Sequence, residues 1–188
     1  YLVNQGILKN KLIKKFSDFF DSKKSSSMQI IYLRSHYGNG KSHFLKTIYS
    51  FLCDFENVIA KQVAIKKEEI DLKLIILKGI GRKLIKEMID FFVIPAYKDK
   101  SKILTMEKLK EDLDISSKLS LLLCEAVEAI EEKNLEKQAK IIAILSGDYL
   151  DSYLNTFEIK KEDLGDDFYF EVIRLICKYL EKKNHYFI

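Results

Sequence analysis

The sequence predicts an α/β fold in which a few parallel strands carry a large helical insertion. Three observations lead to this prediction. An apolar run at 30–33 is followed by a glycine-containing turn and then by apolar residues at helical spacing. A second run, at 57–65, is rich in β-branched residues and is typical of a strand. Most of the sequence after residue 65 has helical periodicity.

The turn after the first predicted strand carries a phosphate-binding motif. Residues 35–42 read S-H-Y-G-N-G-K-S, which matches G-x-x-x-x-G-K-[ST] except that Ser35 replaces the first glycine. In this P-loop, backbone N–H groups surround phosphate oxygens. Gly38 and Gly40 leave the backbone free to adopt positive φ angles, and we expect this freedom to compensate for the missing glycine. A flexible Gly-Asn-Gly turn without a ligand is the alternative interpretation.

The motif predicts which residues contact a nucleotide. Lys41 is expected to reach the β- and γ-phosphates, and Ser42 to ligate Mg²⁺. A helix that opens at the end of the loop directs its dipole at the anion. The predicted binding residues are Ser35, His36, Tyr37, Gly38, Asn39, Gly40, Lys41, Ser42 and His43.

A nucleotide hydrolase also needs an acidic residue at the end of a neighbouring strand. The run 141–148 ends in Asp148, but it continues a helical period, so we interpret it as a helix. A strand beginning at Tyr186 is the better candidate, and its acidic end would lie beyond Ile188. The first residue is Tyr1 rather than Met, so we expect a piece of a longer polypeptide, truncated before this Walker B strand, with no catalytic residue of its own.

The remaining elements follow from periodicity and from stop signals. We expect a lead-in helix and a linker over 1–27, the N-terminal part of an ATPase domain over 28–188, and a mostly helical insertion over 66–167. The G-x-G at 79–81 is expected to lie in a helix or at a helix break rather than to bind phosphate. The predicted helices are 7–20, 70–92, 106–113, 117–130, 135–145, 149–154 and a last one that begins near Gly165.

Composition narrows the classes of function. The 188 residues carry 32 Lys and Arg against 28 Asp and Glu, a net charge of +4 that does not by itself indicate nucleic-acid binding. Basic runs at 9–15 and 82–86 could face phosphate, but such helices are more often simply solvated. No apolar run is long enough for a membrane helix and no signal peptide is evident, which favours the cytoplasm. Cys53, Cys124 and Cys177 are interpreted as buried core thiols.

The run Y-G-N-G-K-S-H-F-L at 37–45 resembles the P-loop of ATP-binding proteins of bacteriophage-exclusion (BREX) systems, which are P-loop ATPases of the AAA+ type. The segment 144–186 is also similar to the family's approach to its Walker B strand. The resemblance implies binding of ATP and Mg²⁺, hydrolysis in the full-length protein, and conformational change in phage defence. DNA, other defence proteins and a homo-oligomer are the partners that it implies.

Two other functions remain open. A nucleotide-sensing regulatory or scaffold module would hold ATP with little turnover. A small-molecule or nucleoside kinase would need an acceptor pocket, which the lysine-rich helices do not indicate.

Overall fold

The computed structural model describes residues 3–21, 40–63, 71–95 and 106–187. The chain forms two compact units. Unit 1 comprises Tyr1–Ala60 and His185–Ile188, and unit 2 comprises Lys61–Asn184. Unit 2 is therefore longer at both ends than the helical insertion predicted over 66–167.

In its described residues, unit 1 contains two helices and two short strands. They are α1 (Val3–Asp21), α2 (Lys41–Cys53), β1 (Val58–Ile59) and β2 (Tyr186–Phe187). The strands pair in parallel, with Val58 opposite Tyr186 and Ile59 opposite Phe187. A small apolar cluster holds α1, α2 and β1 together, and its buried members are Leu12, Phe44, Ile48, Leu52 and Val58.

Unit 2 is helical in every described element. Its helices are α3 (Leu72–Phe92), α4 (Met106–Leu113), α5 (Ser117–Glu131), α6 (Leu135–Leu145), α7 (Asp151–Thr156) and α8 (Asp166–Lys182), with a 3₁₀ turn at Lys161–Leu164 before α8. Helix α3 packs on α8 and α6, while α5 packs on α4, α6 and α8. Its largest fully buried side chains are Leu77, Ile85, Met88, Val93, Leu119, Leu122, Leu123, Ile141, Ile144, Leu145, Leu175 and Ile176.

Side chains cap three helices of unit 2 at their N-termini. The Asp71 carboxylate accepts from the backbone N–H of Lys73 at 2.9 Å. The Ser116 hydroxyl accepts from the N–H of Leu119 at 3.3 Å before α5, and Asn134 caps α6 in the same way. Such caps satisfy N–H groups that have no partner within the helix.

Several helices of unit 2 end in a left-handed residue. After α6, Gly147 has φ 71°, and the N–H of Asp148 donates to the carbonyl of Ala143 at 3.0 Å. Lys133 takes the same conformation after α5, although it carries a Cβ that disfavours it. These reversals satisfy the last carbonyls of each helix and keep the connections short.

Helix α3 is broken at Gly81. Gly81 has φ 75° and ψ 161°, a conformation that is open essentially only to glycine. Arg82, the next residue, donates to the Asp148 carboxylate at 2.7 Å. The structure thus confirms that 79–81 belongs to a helical segment, and of the two predicted possibilities, a helix or a helix break, it shows the break.

The predicted α/β fold is wrong. Among the described residues, β1 and β2 are the only strands, each has two residues, and all other regular elements are helices. The first predicted strand, at 30–33, lies outside the described residues, and in the described part of the run 57–65, which ends at residue 63, only 58–59 forms a strand. Strand preference depends on packing against neighbouring strands, and a β-branched run does not supply those neighbours.

The predicted helices are largely confirmed. Those over 106–113 and 135–145 are confirmed at both ends, and those over 70–92 and 117–130 are confirmed to within two residues. The lead-in helix is confirmed and extends from Val3 to Asp21. No helix in the described ranges is both long and apolar enough to cross a bilayer.

The cysteine prediction is wrong for two of the three residues. Cys53 and Cys177 are exposed and Cys124 is partly buried, all as free thiols. Cys53 and Cys177 each follow a buried residue, Leu52 and Ile176, and so fall just off the apolar stripe of their helix.

Candidate phosphate-binding site

Gly40 forms the junction between the predicted loop and helix α2. Its φ of 73° and ψ of 20° place it in the left-handed region, where glycine is favoured over any residue with a Cβ. Its carbonyl accepts from the N–H of Phe44 at 2.9 Å, which closes the first turn of α2. The second glycine of the motif therefore has the backbone freedom that a phosphate-binding turn requires.

The apolar face of α2 fixes this helix in the core of unit 1. Phe44, Ile48 and Leu52 recur every four residues and are all buried, with Leu12 of α1 and Val58 of β1 against them. The spacing follows from the helical period, since residues four apart lie on one face. The N-terminus of α2 is consequently held in a defined position by side chains that play no part in binding.

Ser42 and His43 occupy the first turn of α2, and both are exposed. The N–H groups of this turn have no partners within the helix, as in any α-helix. One turn later, the Thr47 hydroxyl donates to the carbonyl of His43 at 3.0 Å. The first turn thus presents a hydroxyl and backbone N–H donors to solvent.

The remaining predicted binding residues are described only in part or not at all. Residues 35–39 lie outside the described ranges, as does the side chain of Lys41, whose backbone is the first residue of α2. The roles assigned to them by the motif stay predictions.

The charge of α2 suits an anion at its N-terminus. Its first turn contains no acidic residue. The next carboxylates along the chain, Asp54 and Glu56, come after the helix ends at Cys53. The positive end of the helix dipole is therefore not neutralised by a side chain of its own first turn.

The described ranges contain no group of three or more His, Cys, Asp or Glu side chains arranged to hold a metal ion. A P-loop magnesium site does not need such a group. Mg²⁺ in these sites keeps several waters and is held by one or two protein ligands together with phosphate oxygens. The single predicted ligand, Ser42, fits that chemistry.

Asp148, the acidic residue considered above as the end of a strand, has a structural role. Asp148, which imitates the end of an acidic strand, follows the C-terminus of α6 and forms an ion pair with Arg82. The structure therefore confirms the interpretation of 141–147 as the end of a helix.

Sequence reasoning missed two features of this region. The Thr47 hydrogen bond to His43 was not anticipated, although a hydroxyl four residues after a carbonyl within a helix is its usual signal. The distribution of charge between the two units was also missed, because net charge was summed over the whole chain. Lys11, Lys14 and Lys15 of α1 are exposed, a fact that periodicity could have indicated.

Comparison of the chain with protein-family models, with curated proteins and with solved structures found no match.

Proposed function

We propose that residues 35–43 bind the phosphates of ATP together with Mg²⁺. The observation that carries this proposal is the junction at Gly40, a left-handed glycine that leads directly into α2, whose first turn is Lys41, Ser42 and His43. This combination of glycine geometry, lysine and hydroxyl at fixed offsets is what a phosphate-binding turn requires.

The chemistry follows from the residue types. The Lys41 ammonium would neutralise charge on the β- and γ-phosphates, and the N–H groups at the start of α2 would donate to their oxygens. The Ser42 hydroxyl would ligate Mg²⁺, which also binds β- and γ-oxygens. Bound Mg²⁺ would supply further neutralisation of the phosphate charge.

The wider proposal comes from the resemblance to ATP-binding proteins of bacteriophage-exclusion systems. It is that ATP hydrolysis in the full-length protein drives conformational change in a cytoplasmic defence complex containing DNA, partner proteins or further copies of this chain. This proposal rests on residues 37–45 and 144–186 of the sequence.

Nucleotide sensing with little turnover is the second candidate. The carboxylates that follow α2, Asp54 and Glu56, stand about 20 Å along the helix from Ser42, at a rise of about 1.5 Å per residue. Neither can act on an attacking water at the loop. They therefore cannot replace the acidic strand end that the sequence predicts beyond Ile188, and a protein without that acidic residue would hold ATP without cleaving it.

The first experiment titrates ATP into the chain by calorimetry, with and without Mg²⁺. We expect Lys41→Ala to weaken binding at least about tenfold, since hydrogen bonds to charged groups contribute about 1.5–3 kcal/mol. Ser42→Ala should chiefly reduce the benefit of Mg²⁺. The matched control is Lys46→Ala, which removes an exposed lysine of the same helix and should leave affinity unchanged.

Equal affinities of the Lys41→Ala and Lys46→Ala variants would refute the proposed site. If binding depends on Lys41, release of inorganic phosphate from ATP by the full-length protein separates the two candidates. Turnover that disappears in Lys41→Ala supports an ATPase, whereas Lys41-dependent binding without phosphate release supports a sensor.

A further inference from the structure

The positive charge of this chain is concentrated in unit 1. Unit 1 has nine Lys and Arg residues against four Asp and Glu, while unit 2 has 23 against 24. The net charge of +4 is thus the sum of +5 in unit 1 and −1 in unit 2. Such asymmetry between two parts of a chain points to a polyanionic partner for the basic part.

Helix α1 places three of these charges on one exposed face. Lys11, Lys14 and Lys15 are all exposed and, at 100° per residue, fall within an arc of about 100° around the helix. We call these three residues the basic face. No acidic residue precedes Asp18 in α1. Asp18 is exposed and lies on the same side of the helix one turn after Lys14, so three lysines stand against one carboxylate on this side.

The basic face is not neutralised by ion pairs. Within the described residues, no carboxylate lies within ion-pair distance of Lys11, Lys14 or Lys15. Lysines of unit 2 behave differently: Lys137 lies 2.6 Å from Glu125, and Lys140 lies 2.7 Å from Glu136. The charge on α1 is therefore available to a partner.

The apolar residues of α1 argue against a membrane as that partner. A helix that lies on a bilayer inserts an exposed apolar face into it. In α1, Leu12 is buried in the core of unit 1 and Phe16 packs against the same cluster. Among the described residues, the face that α1 leaves open is mainly polar, with Asn10 beside the lysines, and Ile7, which is 58% exposed, is its single large apolar side chain. One exposed apolar side chain does not make an apolar face that could insert into a bilayer.

We infer that the basic face of α1 binds the phosphate backbone of a nucleic acid. Lysine ammonium groups act as point charges toward phosphates, and such contacts carry affinity without reading sequence. The inference is independent of the proposed ATP site, because it involves none of residues 35–43.

The test measures fluorescence anisotropy of labelled 20-base-pair DNA and RNA duplexes with the full chain at 50–200 mM NaCl. Three phosphate contacts predict a slope of log K against log salt of about −2.7, or about 40-fold weaker binding across this range. The Lys11→Gln/Lys14→Gln/Lys15→Gln variant should bind at least about tenfold more weakly at 50 mM salt, with a slope near zero. Preference for either duplex identifies which nucleic acid supplies the phosphates.

Two variants keep the result interpretable. Lys83→Gln/Lys161→Gln/Lys182→Gln removes the same charge from exposed positions of unit 2 and should bind like the wild type. A Lys→Arg triple variant at positions 11, 14 and 15 should retain binding, which separates loss of charge from loss of fold.

Four results would overturn the inference. One is absence of wild-type binding at 50 mM salt, and another is equal weakening by the unit 2 variant. The third is loss of binding in Lys41→Ala or on addition of ATP to the extent seen in the α1 triple variant, because that would place the polyanion in the loop. Binding only to vesicles containing phosphatidylserine would identify a membrane partner and would likewise refute a nucleic acid.

Discussion

Unit 1 and unit 2 differ in how they use charge and in the size of their cores. Unit 2 has nearly equal numbers of acidic and basic residues, and several of its lysines and arginines pair with carboxylates, as Arg174 does with Asp114 at 2.7 Å. Unit 1 has an excess of five positive charges, exposed lysines on α1 and a cluster of five buried apolar side chains. Both units are built mainly from amphipathic helices, so the difference does not come from secondary structure.

The two units differ in what their side chains contribute to stability and to the binding of anions. Exposed ion pairs contribute little to stability, so unit 2 depends on its fully buried leucines and isoleucines. Unpaired like charges disfavour a compact state slightly but remain available to anions. Unit 1 therefore retains charge that a purely structural unit would neutralise.

The largest expected effect is in the core of unit 2. Leu145 is fully buried, and Leu145→Ala should lower the free energy of unfolding by about 2–5 kcal/mol, because it removes apolar contacts and leaves a cavity. Urea denaturation followed by circular dichroism measures the change. Leu135→Ala is the control, since Leu135 is 76% exposed and should cost no more than about 0.5 kcal/mol. Equal costs would contradict the placement of the core.

A core substitution in unit 1 tests whether the two units are independent. Leu52 is buried in the small cluster, and Leu52→Ala should destabilise unit 1 by about 2 kcal/mol, at the lower end of the range, because few side chains line the site. Hydrogen exchange should show faster exchange of α2 amides with α5 amides unchanged. Equal loss of protection in α5 would mean that the units unfold together, and the comparison would fail.

Two substitutions at helix ends should change the free energy of unfolding in opposite directions. Gly147→Ala places a Cβ 2.5 Å from the Leu74 Cδ2 atom at a φ of 71°, and should cost about 1–2 kcal/mol. Lys133→Gly removes strain from an equivalent reversal and should stabilise by up to about 1 kcal/mol. Urea midpoints measure both changes. A shift in the same direction for both variants would contradict the roles assigned to these residues.

The smallest effect concerns the ion pair between α8 and the residue after α4. Hydrogen bonding and charge from Arg174 hold the pKa of Asp114 below its usual value of 3.8. Because this pKa is lower in the folded than in the unfolded state, the pair stabilises unit 2 above pH 3.8, and the contribution is lost as the pH falls through the folded-state pKa.

We therefore expect Asp114→Asn to be less stable than the wild type at neutral pH and equally stable once the carboxyl is protonated. Asparagine also tolerates the left-handed backbone at this position, where φ is 54°. Urea unfolding from about pH 2.5 to pH 7 checks the prediction. Asp112→Asn, which changes a neighbouring exposed carboxylate, is the control, and a difference that persists at the lowest pH would argue against the ion pair as its cause.

The helices could be predicted from sequence because their signals are local. Periodic apolar residues and polar caps such as Asn134 lie within a few positions of the helix that they define, and α6 was predicted at both ends. The position of Gly40 was predictable for the same reason. A glycine directly before Lys-Ser, followed by apolar residues at helical spacing, predicts a turn that leads into a helix.

The fold class and the charge distribution could not be predicted in the same way. A strand needs partners that are distant in sequence. In the described part of the run 57–65, only Val58 and Ile59 pair with another strand. The significance of Lys11, Lys14 and Lys15 depends on which residues make up unit 1, and that division is a property of the folded chain. The burial of Cys53 was also predicted wrongly. Neighbouring residues of a helix point in different directions, so Cys53 is exposed although the residue before it is buried.

The pairing of β1 with β2 has a consequence for the order of folding. The two strands close a loop that contains all of unit 2, and in an unfolded chain this closure costs about 4 kcal/mol for its length dependence alone. Two pairs of facing residues, Val58 with Tyr186 and Ile59 with Phe187, cannot offset that cost. We therefore expect unit 2 to become compact first and to bring its two ends together, after which β1 and β2 join and the last residues of the chain complete unit 1.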